Sequence, residues 1–498
     1  MQLEFEKNNI RCLRYVLQEV KDHEETQELR LEDGMPDIGA VLCCWGQVVV
    51  RGKEWRSSGI NINGGINAWV LYKPEDGDSV YCAETWIPYQ FKCDFEENER
   101  DGGIVIQPLL RSIDARMISS RKMLIRADIS ALCEAMVDTE IAYYKPAILP
   151  EDIMLLQETF NPLLPKETNE KAFMIDDTVS LPIPLERIQK IIYFQLVPSV
   201  TEYKVMGDKI IFRGQSKLHV LYMDLDGRLL TWDEEIPFSQ FAELGREYSD
   251  SAIANVIMAV TSAELDRGDV NYRLRAGLTG QYVVYDEEKV TVVKDAYSPK
   301  NLVKVHTEPL TLPSILDVRQ NKISADCKLS DEYADVVDVV LYPEHPCVYR
   351  DDDTVMMEYS GAFHALCQSI DGELGSQILQ FNTKIDETAD MLAKPMTVIS
   401  NASVPQIMTS GSTLLLSANL DAMCMWTTGR AVNMITALEI GDAIESAGER
   451  PGVNLCRAGG ATLWEIAKKY GSTVELIMQA NKLQGEADGD RMLLVPMV

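Results

Sequence analysis

The sequence predicts a mainly β protein: three tandem β-sandwich-like repeats followed by a small βααβ module. Three observations carry this expectation. A hairpin signature recurs three times, a strictly alternating apolar run recurs with it, and the periodicity changes from two to helical after Pro451.

The best-preserved hairpin copy runs from Ser216 to Leu244. Leu218, Val220 and Tyr222 alternate into Asp226-Gly227, and a second extended run reaches the corner Ile236-Pro237-Phe238. Asp-Gly falls at the same offset after Tyr72, Tyr222 and Cys367, as Asp76-Gly77, Asp226-Gly227 and Asp371-Gly372. Asp-Gly suits the positive φ angles of a type I′ hairpin turn. A calcium loop starting at Asp224 is disfavoured, because the later ligands and the terminal Glu do not follow. Asp351-Asp352-Asp353 likewise reads as a solvated turn.

The second half of each unit is an alternating strand. Met123, Ile125, Ala127, Ile129, Ala131 and Cys133 share one face, with Lys122, Arg126, Asp128, Ser130 and Glu134 on the other. Tyr272, Leu274, Ala276, Leu278, Gly280 and Tyr282 repeat this, as do Leu414, Leu416, Ala418, Leu420, Ala422 and Cys424. Ala127 follows Tyr72 by 55 residues, Ala276 follows Tyr222 by 54, and Ala418 follows Cys367 by 51. Units are therefore expected at 31–145, 181–297 and, in degenerate form, 323–445, each with about seven or eight short strands. The Pro- and charge-rich stretches 146–180 and 298–322 read as linkers. Leu3, Ile10, Leu13, Val16 and Val20 are spaced for a helix or an extended arm over 1–30.

Composition narrows the function classes. With 46% hydrophobic and 25% charged residues over 498 positions, the chain is expected to fold throughout. A net charge of −30 repels phosphate backbones and anionic lipid surfaces, which argues against a nucleic-acid partner. No apolar run reaches the roughly 18 residues of a membrane span, and the N-terminus lacks the order of a secretory signal, so no membrane insertion is expected. The eleven cysteines contain no CxxC pair and read as buried reduced thiols.

No GxSxG elbow or phosphate-binding loop occurs, so no enzyme activity, cofactor or metal is expected. The run Gly59 to Gly65 lacks a basic residue and a following helix, and reads as a flexible or hairpin-extending loop. His219 and His364 stand where the first unit has Trp69, and are expected to face outward on a strand.

After Pro451, Leu463, Ile466, Ala467 and Tyr470 line one helix face, Gly471 stops it, and a second helix spans Val474 to Ala480. Leu493 to Pro496 closes the module as a strand. Over residues 452–497 this segment resembles a LysM domain. The resemblance implies a groove for N-acetylglucosamine-containing glycans between Gly460, Ala461, Thr462 and Leu463 on one side and Asn481, Lys482 and Leu483 on the other. Where the family's loop carries an acidic residue, this sequence has Ala461. Trp464 and Met478 are further candidate contacts for a partner.

The repeats resemble the SPOCS domain of clostridial sporulation proteins. The residues that carry this are Pro36-Asp37-Ile38-Gly39, Gly52, Tyr72 and Ile87-Pro88-Tyr89, then Gly214, Tyr222 and Ile236-Pro237-Phe238. Three such units ahead of one LysM resemble a spore-coat morphogenetic family. That implies a non-catalytic scaffold in the mother-cell cytoplasm, at the forespore surface. Its implied partners are a SpoIVA-like coat-basement ATPase, gripped by the LysM, and other coat proteins. The alternative is a LysM that binds peptidoglycan or cortex glycan.

Overall fold

The computed structural model describes residues 2–77, 79–96, 99, 101–145, 150–180, 182–269, 271–330, 332–352, 354–388, 393–410, 413–428, 431–444, 452–485 and 491–497. Asp353, the stretch 146–149 and the boundary 445–451 lie outside the described residues.

The first two units are built from six strand positions each rather than seven or eight. In the first unit they are Glu6–Arg30, Ile38–Arg56, Gly59–Pro74, Tyr81–Asp94, Gly103–Ser119 and Lys122–Lys145. Strand one pairs with strand six and six with five, while strand three pairs with both two and four. The second unit repeats this order with Leu163–Val179, Ile188–Asp224, Leu229–Tyr248, Ile253–Arg267 and Tyr272–Glu287. Its run Ile188–Asp224 is two strands folded back at Gly207, whose φ is +57°. Ser199 Oγ donates to Gln215 O and Thr201 Oγ1 to Arg213 O, both at 3.4 Å, which fixes the register about that glycine. The third unit fills the same six positions with eight strands: Ser314–Lys328, Tyr333–Pro343 with Cys347–Asp351, Thr354–Ser369, Leu374–Thr388, Ala393–Ala402 with Gln406–Ser410, and Thr413–Thr428.

Residues 6–30 are a strand, not a helix. Their helix-like spacing arises because both faces of the strand meet apolar partners, and a bulge between Tyr15 and Leu17 then shifts the period-two pattern by one residue. Ile10 and Leu13, on opposite faces ahead of the bulge, are buried in different cores, whereas Val20 is exposed. The stretches expected as linkers carry strands that prolong the ladder between strands one and six. Met154–Phe160 pairs with Val290–Tyr297, and Asn301–Thr311 pairs with Ala431–Ala443. Gln2–Glu4 adds to the second of these. Gly59 to Gly65 begins strand three instead of forming a loop. A Cβ on Gly65 would stand 2.1 Å from the Trp86 ring, so glycine there permits the contact.

The Asp-Gly turns are hairpin turns, but not of type I′. Only the glycines have positive φ, +104°, +79° and +83° at Gly77, Gly227 and Gly372. Gly227 N donates to Asp224 O at 3.0 Å and Asp226 N to Asp224 Oδ1 at 2.9 Å, an Asp-braced turn closed by a left-handed glycine. All eleven cysteines are free thiols; nine are buried, Cys327 is half-buried and Cys347 is exposed.

The second strands of the three units meet around a common central axis. Trp45 lies opposite Trp69 and Val340 opposite His364, and the fold at Gly207 sets Gln195 opposite His219. By that equivalence Cys43, Tyr193 and Asp338 occupy one level of the three second strands. Across the axis Trp45 stacks on Tyr193 at 4.4 Å, Gln47 Oε1 accepts from Leu196 N at 2.8 Å, and Tyr342 OH accepts from Gly46 N at 3.1 Å. A second core of Leu13, Val105, Met136, Ile257, Val283, Tyr285, Ile315, Val398 and Met425 draws on all three units. Burial of this continuity makes the repeats one body and not beads on a string.

Candidate functional site

Two places gather polar chemistry, the axis and the terminal module. At the axis His219 Nδ1 meets Asp233 Oδ1 at 2.6 Å and its Nε2 meets Asp338 Oδ1 at 2.7 Å. Tyr193 OH donates to Asp338 Oδ2 at 2.8 Å. Burial pulls the His219 pKa down, but the Asp338 and Asp233 carboxylates outweigh it and raise it to about 10. The ring is therefore an imidazolium at neutral pH, holding the second unit to the third.

His219 and His364 are thus buried rather than outward-facing: Asp338 on the third unit's second strand covers His219, and Tyr342 on the second strand of its own unit packs on His364. Among the described residues no carboxylate is set against His364; burial pushes its pKa down to about 4, and it packs edge-on against Tyr342 at 4.7 Å. Ser130 and Glu134, on the expected polar face of strand six, are also buried.

The terminal module folds as Val453–Arg457, α1 (Leu463–Tyr470), α2 (Val474–Asn481) and Met492–Pro496. Thr462 and Glu465 form a capping box on α1, at 3.2 and 2.9 Å, and Gly471 ends the helix in the left-handed region with φ +62°. Thr473 caps α2 through Leu476 N at 3.2 Å. Leu463, Ile466, Ala467, Ile477, Leu493 and Val495 form the core.

The sequence-predicted groove residues divide by role. Gly460, Ala461, Thr462 and Lys482 are exposed, whereas Leu463 is core and Leu483 and Met478 are partly buried against it. The Asn481 side-chain amide donates to Ile477 O at 2.8 Å and Leu494 O at 2.6 Å, and accepts from Leu494 N at 2.8 Å. It clamps α2 to the closing strand. Arg491 ties the two loops together: its carbonyl accepts from Ala458 N at 2.9 Å and its guanidinium donates to Asn481 O at 3.4 Å.

Trp464 belongs to neither the core nor free surface. Its indole Nε1 donates to Asp295 Oδ2 at 2.9 Å, and its ring meets Tyr297 at 4.8 Å in a T-shaped contact. Lys468, one turn on, donates to both Asp295 oxygens at 2.7 Å, and Tyr297 OH donates to Ser472 O at 2.8 Å. Burial, aided by Glu475 and Asp295, pushes the Tyr297 hydroxyl up to about 12. A bulge between Val293 and Asp295 aims that carboxylate, while Lys294 pairs with Glu158 at 2.9 Å. Sequence reasoning missed Asp295 and Tyr297. The Asp-Ala-Tyr spacing on a strand places both on one face, but nothing local ties them to a module more than 150 residues away.

Among the described residues no group of three or more His, Cys, Asp or Glu side chains is arranged to hold a metal ion, and no helix is long and apolar enough to cross a membrane.

These features define a modular, mainly β protein with a small two-helix module seated on its end. The modules have family names. Residues 187–266 match the family described as SipL, SPOCS domain, and residues 460–487 match the LysM domain. The chain carries a SipL-type SPOCS domain and a LysM domain, in the order its sequence resemblance implies. The SPOCS match falls on strand positions two to five of the second unit. No curated protein and no solved structure matches the chain. Both matched families are non-catalytic binding domains, and the combination fits a sporulation protein.

Proposed function

We propose that the protein is a non-catalytic scaffold of spore-coat assembly. In this reading it works in the mother-cell cytoplasm at the forespore surface and tethers coat through its LysM and SPOCS-like domains. Its partners are a SpoIVA-like coat-basement ATPase and other coat proteins. The first and third units act as further SPOCS-like domains, on the strand order they share with the second. The supporting observation is a SPOCS and a LysM domain on one chain, the LysM seated at the end of a body whose units are locked together.

Charge favours the module as the point of contact. Residues 451–498 hold five basic and five acidic residues, so the whole −30 belongs to the rest of the chain. A macromolecular partner meets the least repulsion there if it is itself acidic. A fluorescent fusion in sporulating cells tests the reading. A ring around the forespore that is lost when 451–498 are removed supports it; vegetative or septal signal refutes it.

The exposed loops Gly460–Thr462 and Lys482 support a second reading, in which LysM holds peptidoglycan or cortex glycan. Sedimentation with purified peptidoglycan, blocked by chitin oligomers, is its expected result; failure to sediment removes it.

A further inference from the structure

We propose that the α1 face of the LysM domain is a receptor for an extended segment bearing a carboxylate and, two residues later, an aromatic ring. In the free chain that receptor is filled by the protein's own Asp295-Ala296-Tyr297. This rests on the reading that LysM is the tethering module, and it names the partner's chemistry.

The intrachain contact is the template. Trp464 and Lys468 lie one turn apart on α1, and a single carboxylate answers both: Asp295 Oδ2 accepts from the indole N–H, and both its oxygens accept from the ammonium. The aromatic ring then fills the space beside Trp464, and its hydroxyl reaches the Ser472 carbonyl just past the helix end. The two groups stand on one face of a strand because they are two residues apart. The ligand is therefore specified by a charge, a ring and their spacing, which another extended chain can supply.

The ion pair of the seat is open to exchange, while Tyr297 is buried beside it. Lys468 and Asp295 keep 46% and 27% of their side-chain surface exposed, so solvent and a competing carboxylate reach the pair. Tethering on the same chain gives Asp295 an advantage in effective concentration. A partner then binds through this face only by displacing it, and measured affinity is lowered by the fraction of chain that is self-occupied.

The test uses the full chain and two synthetic peptides of residues 290–298, one native and one with Asp295→Asn. In the Asp295→Ala protein, amide hydrogen exchange over 463–472 is expected to rise while that of 188–287 is unchanged. The native peptide is expected to bind this variant about ten-fold more tightly than it binds the wild type, and the Asn peptide to lose most of that gain. Lys468→Met, a solvent-facing change that spares the helix, is expected to abolish the preference for Asp over Asn. Unchanged exchange, or equal binding of the two peptides, overturns the proposal. Forespore localisation is read separately, so a chain that localises but fails the peptide test keeps the tether and loses this receptor.

Discussion

Replacing His219 with Leu removes the imidazolium that joins Asp233 to Asp338 across the second and third units. Asp338 is fully enclosed, and after the change only Tyr193 OH still donates to it. Breaking one partner of such a buried pair costs about 3–5 kcal/mol. The protonation equilibrium gives a consistent figure. A pKa raised from 6.5 to about 10 corresponds to about 5 kcal/mol of linked stability, at roughly 1.4 kcal/mol per pH unit. The sign follows from the raised value: the contribution is complete below about pH 6.5 and is lost as pH climbs toward 10. Urea unfolding of both proteins at pH 6, 8 and 10 is expected to show a gap of about 3–5 kcal/mol at pH 6 that narrows by pH 10. Removing both charges, as His219→Leu with Asp338→Leu, is expected to recover much of the loss, since no lone carboxylate stays buried. A single variant within about 1 kcal/mol of wild type, or a gap indifferent to pH, would refute the assignment of the cluster as a latch.

Glu134 titrates in the opposite sense. Burial raises its pKa to about 7 against the Gln18 amide, so its contribution is best below the ordinary carboxyl range and worsens as pH rises toward 7; Glu134→Gln is expected to gain up to about 3 kcal/mol at pH 8 in urea unfolding and nothing at pH 4. Asn481→Ala removes the clamp on Leu494 and is expected to cost the LysM about 1–3 kcal/mol, seen as faster hydrogen exchange over 492–496 with the β body unaffected. Gly207→Ala meets no atom within 4 Å but must adopt φ +57°, so a loss of about 1 kcal/mol is expected in the same unfolding assay, smaller for Gly207→Asn.

Period-two patterning made the strands legible wherever the ladder is regular, as along Met123 to Cys133, all of whose alternate residues are buried. It failed where both faces are buried or a bulge inserts one residue. Burial of Ile10 and Leu13 on opposite faces, followed by the shift between Tyr15 and Leu17, made a strand look helical, and the bulge between Val293 and Asp295 hid the carboxylate that seats the LysM. The module itself was legible because its caps are local: Thr462, Glu465 and Gly471 are close neighbours in sequence. Its seat was not, because Asp295 and Tyr297 gain meaning only from what packs over them.

The same limit explains the three equivalent positions Trp69, His219 and His364. A repeat fixes where a side chain stands, but what packs over it decides its chemistry. Trp69 meets the Tyr193 ring at 6.2 Å, His219 meets the Asp338 carboxylate, and His364 meets the Tyr342 ring. Tyr193 and Asp338 come from the next unit's second strand and Tyr342 from that of His364's own unit, so an aromatic contact, an ion pair and a neutral imidazole arise from one strand position. The seven residues from Val339 to His345 carry no periodic signal of this, yet Tyr342 and His345 both bridge to the first unit, through Gly46 N and Leu132 N. Closure of the body therefore rests on contacts between non-equivalent residues, and substitutions that restore symmetry, such as Asp338→Tyr to match Tyr193, should weaken it by leaving His219 without its buried counter-ion.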